Sequence, residues 1–312
     1  MIGMRNRYKV FSIVEKYREI IPGYSSFVDT IFRDTTKVIR INRLRTTSDY
    51  IRSRLEEFDI EIRELPWYKD AFLVLNGREK IAKTLDYHLG LYYIMEVTSL
   101  IPPLIIEKYL GDINLDIAAA PGGKALMIAE MLRDKGIVIG NDPDPSRYKA
   151  LVSNIDRMGY SNILVTRIDG RRYPVIEGLK TVLFDAPCSS EIHVSRIKDT
   201  REYLEGRIYK KYSSLQISIL KRLFRILPPN SIVLYSVCTF SPLESEYVVM
   251  KAIEMGFKVE DIPRLPLNAL NGVESWNGIT FPEEVKYTYR IYPHINADYG
   301  NPGYLYVALL RR

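Results

Sequence analysis

The sequence predicts an α/β protein in which a doubly wound parallel sheet follows a smaller α+β domain. From residue 114 onward, short apolar segments alternate with amphipathic helical patterns, as expected for parallel strands joined by crossover helices. A small turn containing glycine joins the first of these segments to the first helix, and later segments end in Asp or Cys. The chain has 312 residues, of which 46% are hydrophobic, so two domains can each bury a core.

The first domain is predicted over residues 1–85. A helical pattern covers residues 8–32 and is interrupted at Pro22-Gly23, and an alternating strand follows at 37–42. A second helix is predicted over 48–58 and a second strand over 60–65.

The second domain is predicted over residues 86–312 and begins with a mainly helical segment, 87–110, that is interrupted by Pro102-Pro103. The strands and helices that follow are predicted at 114–118, 125–134, 137–141, 146–158, 163–168, 181–185, 213–227, 231–237, 244–255, 257–260, 289–293 and 303–310. In doubly wound sheets, ligands bind beyond the carboxyl ends of the strands. The residues at those ends are therefore predicted to line a site: Ala118, Asp142, Asp169, Asp185 and Cys238.

The turn in the segment DIAAAPGGKA, residues 116–125, is predicted to hold a nucleotide-like molecule. Glycine lets backbone amides approach a ligand closely, and the helix N-terminus behind it favours negative charge. Asp142 closes the next apolar run, where this fold presents a carboxylate to ribose hydroxyls. The alternative is an ordinary strand-to-helix turn with a surface Asp. A phosphate-binding loop is not supported, because Ala125 follows Lys124 in place of Ser or Thr.

The charge is unevenly distributed along the chain. Residues 1–54 contain twelve Lys or Arg against five Asp or Glu, although the whole chain carries only +6. This segment is predicted to face a polyanion, most simply nucleic acid, and the alternative is a solvated basic face. A further six cations lie within 191–212: Arg196, Lys198, Arg201, Arg207, Lys210 and Lys211. Neither a secretory segment nor an apolar run of roughly 18 residues occurs, so we expect a cytoplasmic protein with no membrane partner.

The two cysteines, Cys188 and Cys238, each follow a predicted strand end, and Cys188 lies close to Asp185 in the sequence. Neither a disulfide framework nor a metal site is supported, since only three histidines accompany them. Each cysteine can be a small buried apolar residue. A thiolate stabilised by local charge can instead act as a nucleophile, and with both cysteines near Asp185 the two alternatives stay open. A lone histidine, such as His193, is more often incidental.

With these motifs the chain resembles a known family, the Nol/Nop/Sun-type RNA cytosine-5 methyltransferases. The resemblance covers nearly the whole chain and rests on two cysteine motifs, DAPCSS (185–190) and VCTFSPLESE (237–246), together with AAAPGGK (118–124). Further matching segments are RINRLR (40–45), Glu96-Val97-Thr98-Ser99, NDPDPSR (141–147), Asp169, Gln216 and RIYPH (290–294).

The resemblance implies a Rossmann-like catalytic domain with S-adenosylmethionine as cofactor, an N-terminal RNA-binding domain and no metal. It implies that Cys238 is the nucleophile that adds to cytosine carbon 6, that Asp185 assists this attack, and that Cys188 helps release the product. The implied cofactor-binding residues are Ala118, Ala119, Ala120, Pro121, Gly122, Gly123, Lys124, Asp142, Arg147, Asp169 and Asp185. Arg40, Arg43 and Arg45 are predicted to contact RNA phosphates.

The sequence departs from the family's usual pattern at several positions. Val237 stands where Thr is common, Ser190 where Gly is usual and Ala118 where Cys is frequent, and Pro228-Pro229-Asn230 replaces a turn with glycine. None of these changes removes a reacting group. A side chain at Ser190 is expected to alter the pocket or the backbone angle.

We therefore expect an RNA cytosine-5 methyltransferase that is monomeric and acts on tRNA, because a compact chain suits a small structured RNA. Ribosomal RNA is the alternative substrate. A protein that binds RNA but has lost turnover is a second alternative, motivated by Val237 and Ser190. A methyltransferase for a small molecule or protein is a third, but it leaves the basic N-terminal segment and the paired cysteines unexplained.

Overall fold

The computed structural model describes residues 10–133, 135–197, 200–262 and 264–312, with the side chains of 194–196 left out of the description. Residues 10–14 are helical and continue into a short 3₁₀ turn, Glu15–Tyr17. The α-helices that follow are α1 (Tyr24–Ile31), α2 (Ser48–Glu57), α3 (Leu85–His88), α4 (Ile101–Ile106), α5 (Gly123–Leu132), α6 (Pro145–Met158), α7 (Arg201–Leu204), α8 (Arg207–Ile226) and α9 (Glu246–Met255).

The strands form a small sheet and a large one. The small sheet contains β1 (Lys37–Ile41), β2 (Ile62–Leu65), β3 (Tyr68–Val74) and β4 (Tyr92–Glu96). The large sheet contains β5 (Ile113–Asp116), β6 (Ile137–Asn141), β7 (Ile163–Thr166), β8 (Thr181–Asp185), β9 (Ile232–Val237), β10 (Lys258–Glu260), β11 (Leu270–Asn271), β14 (Tyr289–Ile291) and β15 (Leu305–Arg311). Between β11 and β14 in the chain, β12 (Ser275–Trp276) and β13 (Ile279–Thr280) form a separate hairpin.

The small sheet is antiparallel, with strand order β2-β3-β1-β4. The helical prediction for 87–110 is wrong for residues 92–96, which form β4. Both faces of this strand are covered, because Tyr92 packs in one hydrophobic cluster while Tyr93 and Met95 pack in another. A strand buried on both faces lacks the apolar–polar alternation by which a strand is recognised. β4 also lies beyond the domain boundary predicted at residue 85, which remains a prediction.

The large sheet confirms the predicted α/β class. Five parallel strands run in the order β7-β6-β5-β8-β9, and β15 joins β9 in the antiparallel direction. From β5 the chain winds outward through β6 and β7, and it then returns to the other side of β5 to form β8 and β9. The strand order therefore reverses between β5 and β8, where open α/β sheets bind ligands.

Helices cover both faces of the large sheet. One hydrophobic cluster contains α8, α9 and the N-terminal residues 10–31, and the other contains α4, α5 and α6. The first 22 described residues therefore pack against the large sheet, whereas β1 to β4 and α2 build the small domain. None of the helices in the described part of the chain has both the length and the apolar character that crossing a bilayer requires.

Candidate active site

A cavity of about 360 Å³ opens at the carboxyl ends of β5 and β8. The large domain lines it with the turn at residues 118–124 and with Asp116, Asp185 and Cys238. The small domain contributes Lys37 and residues 93–96. The cavity therefore lies between the two sheets, at the position predicted from the strand ends.

The turn after β5 needs its glycines for two different reasons. Gly122 has φ of +113°, a backbone angle that side-chain-bearing residues rarely adopt. A Cβ atom on Gly123 would lie 2.8 Å from the Tyr93 ring, so this position accepts no side chain unless the ring moves. The amide of Ala119 donates to the Asn141 carbonyl over 2.7 Å, which fixes the turn against β6. The turn thus presents its backbone to the cavity.

Lys124 and Asp185 form an ion pair on the cavity wall. Lys124 Nζ lies 2.6 Å from Asp185 Oδ2, and Ser236 Oγ donates to Asp185 Oδ1 over 2.7 Å. Burial disfavours a charged lysine, but the Asp185 carboxylate outweighs it and raises the pKa of Lys124. The predicted acid at position 185 is therefore held in one orientation by two donors, one of them cationic.

Asp116 is a third charged group at the same wall. It ends β5, its side chain is buried, and its Oδ1 has no hydrogen-bond partner among the described residues. Burial raises the pKa of Asp116 to about 7, an effect that Lys124 opposes. A buried oxygen without a partner at a cavity wall is an acceptor for a ligand that carries donors.

The two cysteine sulfurs meet in the cavity region, with Cys188 Sγ 3.2 Å from Cys238 Sγ. Both cysteines are free thiols. The hydrogen bond between the sulfurs lowers the pKa of Cys188 and raises the pKa of Cys238, because the accepting sulfur is the one that carries charge more easily. The structure therefore brings together the two cysteines that the sequence placed at separate strand ends.

Two buried carboxyl groups fix the loops that carry the cysteines. Glu244 Oε2 accepts from the Ser189 amide over 3.0 Å and from Gln216 Nε2 over 3.1 Å. Burial raises the pKa of Glu244. Glu191 accepts four hydrogen bonds, from Tyr17 Oη, Tyr209 Oη, Thr239 Oγ1 and the Phe240 amide. The loop after β8, the loop after β9 and the N-terminal helical segment are thereby joined in one network.

Asp142 and Asp169 follow the ends of β6 and β7, as predicted, and Arg147 lies in the first turn of α6, but none of the three lines the cavity beside Cys238. Asp142 is buried, and its Oδ2 lies 3.1 Å from Arg147 Nε. Burial raises the pKa of Asp142. Asp169 caps the following turn, and its carboxylate also pairs with Arg171. These residues form a separate acidic rim along the carboxyl edge of the sheet.

The small domain closes the cavity with a polar group centred on Glu96. Glu96 Oε1 accepts from Lys37 Nζ over 2.8 Å and from Thr35 Oγ1 over 2.7 Å. Burial opposes its charge, but Lys37 holds the pKa of Glu96 below its usual value. His193 also lines the cavity, with Nε2 3.7 Å from Glu96 Oε1. No pattern in the sequence indicated a role for Lys37.

Two of the three arginines predicted to bind RNA have other roles. Arg40 is fully buried and pairs with Glu130 of α5, so phosphate cannot reach it. Arg45 donates to the backbone carbonyls of Leu89 and Arg157, where it holds a turn. Arg43 is about half exposed and pairs with Asp70. The RNA-contact prediction is therefore wrong for Arg40, and for Arg43 and Arg45, which are both exposed, it stays a prediction.

The basic segment 191–212 adjoins the cysteine loop. Tyr203 Oη donates to the Ser189 carbonyl over 2.8 Å, which places α7 and the start of α8 beside Cys188. The exposed cations of this region are Arg201, Arg207, Lys210 and Lys211. Lys198 and the side chain of Arg196 lie outside the described residues.

The departures noted in the sequence remove no charged or reacting group from the site. Val237 is fully buried and pairs with Tyr306 of β15. Ser190 has φ of +54° and Asn230 has φ of +65°, so both occupy backbone positions that favour glycine. Sequence reasoning missed Asp116, Glu191 and the pairing of Lys124 with Asp185. For Asp116 a signal existed, since it ends β5 just as Asp185 ends β8.

Comparison with known proteins identifies relatives along most of the chain. Residues 104–311 match the family model described as 16S rRNA methyltransferase RsmB/F. A tRNA (cytosine(49)-C(5))-methyltransferase from Pyrococcus abyssi is 31% identical over 304 residues, which cover 96% of this chain and 95% of that protein. The ribosomal RNA small subunit methyltransferase F from Shewanella amazonensis is 33% identical over 216 residues. That match covers 67% of this chain and 46% of the relative, so the chain spans about half the length of such proteins.

Similar folds occur among solved structures. The crystal structure of a methyltransferase homolog protein from Pyrococcus horikoshii superposes with a TM-score of 0.78 and 25% identity, covering 99% of both chains. The structure of NSun6 from Pyrococcus horikoshii with SFG gives a TM-score of 0.74 at 16% identity, covering 99% of this chain and 98% of that one. The second likeness concerns the fold alone.

Proposed function

We propose that this chain, which belongs to the RsmB/F family of Nol/Nop/Sun-type RNA cytosine-5 methyltransferases, methylates carbon 5 of a cytosine in tRNA. The observation that carries the proposal is the pair of free cysteines, 3.2 Å apart, beside the Lys124–Asp185 ion pair. tRNA is preferred because the relative matched along almost its whole length is a tRNA cytosine-5 methyltransferase. Ribosomal RNA is the second candidate, since the small subunit methyltransferases match over two thirds of this chain.

The cofactor is S-adenosylmethionine, which supplies a methyl group on a positively charged sulfur. The residues present fit its methionine part. Asp116 would offer an unpartnered carboxyl oxygen to the α-ammonium group, and the turn after β5 would border the cofactor with its backbone, since Gly123 packs too closely on the Tyr93 ring to carry a side chain. Asp142 would hold the ribose and Asp169 the adenine edge. Arg147, whose Nε lies 3.1 Å from Asp142 Oδ2, would support the ribose contact.

Cys238 is the nucleophile. Cytosine carbon 5 is too electron-poor to attack a methyl sulfonium, and addition of a thiolate at carbon 6 makes carbon 5 enamine-like. As the Sγ–C6 bond forms, the Cys238 proton moves to the Cys188 thiolate, whose sulfur is within hydrogen-bond distance. A stacked base hides both carbons, so the target cytosine must be unpaired or flipped out.

The Lys124–Asp185 pair handles the proton at the ring nitrogen. Negative charge develops on nitrogen 3 when the sulfur adds, and Asp185 transfers to it a proton drawn from the ammonium of Lys124, 2.6 Å away. After methyl transfer, the Asp185 carboxylate takes the proton from carbon 5. The C6–S bond then breaks, Cys238 leaves with the electron pair, and Cys188 returns the shared proton to it. Nitrogen 3 gives its proton back to the neutral amine of Lys124, and the proton taken from carbon 5 leaves Asp185 for solvent.

The exposed cations of α7 and α8 hold the RNA. Arg201, Arg207, Lys210 and Lys211 lie on the segment that contacts the Ser189 carbonyl, so phosphates bound there place a nucleotide close to the cysteines. Phosphate contacts of this kind position a nucleic acid and carry no sequence information directly. We retain Arg43 and Arg45, which are both exposed, as N-terminal phosphate contacts.

The test is transfer of radiolabelled methyl groups from S-adenosylmethionine to unmodified tRNA and small subunit rRNA transcripts, followed by nucleoside analysis. We expect label in 5-methylcytosine of tRNA, and no label with Cys238→Ala. Label confined to rRNA would overturn the tRNA assignment. Cofactor binding without label in either RNA would overturn the activity and favour a protein that binds RNA without turnover.

A further inference from the structure

Ser190 occupies a backbone conformation that its residue type disfavours. It lies two residues after Cys188 and has φ of +54°, in the left-handed region that glycine adopts freely. Three of the five non-glycine residues with positive φ in the described part of the chain are Asn or Asp, which tolerate this region. A strained residue that persists at an active site indicates that its side chain has a function there.

The Ser190 hydroxyl lies against both cysteine sulfurs. Its Oγ is 3.6 Å from Cys188 Sγ and 3.7 Å from Cys238 Sγ, within the longer range expected of hydrogen bonds to sulfur. The same oxygen is 3.3 Å from the Cys188 carbonyl. A hydroxyl has one donor and two acceptor positions, so it can accept from a thiol in one state and donate to a thiolate in another. Ser190 Oγ and the two cysteine sulfurs therefore form a triangle, one corner of which is the reacting sulfur of Cys238.

The loop does not need the Ser190 side chain for its own stability. The neighbouring Ser189 is held by Glu244 through its amide, by Thr239 through its hydroxyl and by Tyr203 through its carbonyl. The carbonyl of Ser190 accepts from the His193 amide. These bonds fix the turn whatever side chain stands at position 190. The Ser190 hydroxyl adds only a long bond of 3.3 Å to the Cys188 carbonyl, so anchoring does not account for the strain.

We propose that Ser190 is a further catalytic residue, whose hydroxyl donates a hydrogen bond to whichever of the two sulfurs carries negative charge. This inference rests on the proposed function. When the C6–S bond of the adduct breaks, the electron pair goes to Cys238 Sγ, and the Ser190 hydroxyl and the Cys188 thiol both face that sulfur. Ser190 itself gains and loses no proton.

The hydroxyl acts within a set of charged and titratable neighbours. Its hydrogen bonds favour the thiolate form of each cysteine and so act in the same direction on both pKa values. The charged and titratable groups that interact electrostatically with the two thiols are Asp185, Lys124, Glu244, Tyr203, Tyr212 and Tyr235. Ser190 can be replaced without changing any of these.

The experiment compares Ser190→Gly and Ser190→Ala with the wild-type protein. The chain has only two cysteines, so iodoacetamide labelling followed by peptide mass spectrometry reports each thiol separately as a function of pH. Losing a hydrogen bond to a charged sulfur is expected to shift the pH profile of labelling upward by about one pH unit. At a fixed low pH, labelling should therefore be about tenfold slower. Ser190→Gly is also expected to unfold at a higher temperature, since glycine relieves the strain.

Asn277→Gly is the matched control, because Asn277 also has positive φ, +50°, but lies in the β12–β13 turn. It is expected to leave the labelling profile and methyl transfer unchanged. Single-turnover methyl transfer should be about tenfold slower in both Ser190 variants than in the control. Labelling profiles of both Ser190 variants that coincide with the wild-type profile would overturn the inference. Labelling needs no RNA and no turnover, so this result is separate from any failure of the proposed activity.

Discussion

The ion pair between Arg40 and Glu130 is predicted to stabilise the fold and to leave RNA binding unaffected. Arg40 lies on β1 of the small domain and is fully buried, while Glu130 lies on α5 of the large domain. The Arg40 Nε and Nη2 atoms have no partner among the described residues, and Glu130 also accepts from Tyr160 Oη over 2.8 Å. Glu130 is thus the single carboxylate that pairs with this guanidinium among the described ion pairs.

The magnitude differs between the two partners. Glu130→Gln leaves a buried guanidinium without a counter-charge, which costs about 3–5 kcal/mol of unfolding free energy. For a chain of this size that corresponds to a melting temperature lower by roughly 10 °C. Arg40→Met keeps the apolar stem and leaves Glu130 with Tyr160 and partial solvent access, so we expect a smaller loss of about 1.5–3 kcal/mol. The double variant should lose less than the sum of the two.

Urea unfolding measures these free energies, and RNA affinity as a function of salt concentration tests the functional half of the prediction. Arg40→Met should leave the slope of log affinity against log salt unchanged. Arg43→Met is the matched comparison, because Arg43 is half exposed. If it contacts phosphate, the slope should decrease by about one while stability changes by less than about 1 kcal/mol. A decreased slope with unchanged stability in Arg40→Met would refute the reasoning.

Three further predictions concern the site. Cys188→Ala should accumulate a denaturation-resistant RNA adduct through Cys238, visible as labelled RNA that co-migrates with protein; an active variant without adduct would contradict the assigned roles. Because the pKa of Asp116 is raised to about 7, cofactor affinity measured by calorimetry should increase from pH 6 to 8 as this carboxyl group ionises and attracts the ammonium group. Asp116→Asn should abolish that increase. A parallel increase in the variant would show that Asp116 is not the group that attracts the ammonium group. The same raised pKa means that the folded state holds this proton between about pH 4 and 7, so its contribution to stability decreases as pH rises through that range. Lys210→Glu with Lys211→Glu should weaken RNA binding and lower the slope of log affinity against log salt by about two. Unchanged binding would mean that the RNA binds elsewhere.

The fold of the large domain could be predicted because its signals are local. Strand and helix periods, the glycines of the turn at 118–124 and the polar residues at strand ends are all visible in the sequence. The burial of a strand on both of its faces is not visible in the sequence. The alternation in β1 correctly predicted a strand, but Val38 packs toward the large domain while Ile39 packs within the small one. Arg40 lies on the same side as Val38, so it faces α5 where solvent was expected.

The distance between the two cysteine sulfurs depends on contacts that extend beyond the two cysteine motifs. Burying a carboxyl group is favourable only where donors surround it, and the donors to Glu191 come from three separate parts of the chain: Tyr17, Tyr209 and the Thr239-Phe240 loop. Each donor is itself placed by the others, so the loop after β8 and the loop after β9 are fixed together or not at all. Tyr17 belongs to the N-terminal segment, which therefore helps to build the catalytic centre although the sequence assigned it to the RNA-binding domain. The short distance between the two sulfurs therefore depends on the whole buried network. A motif search along the sequence cannot predict that distance.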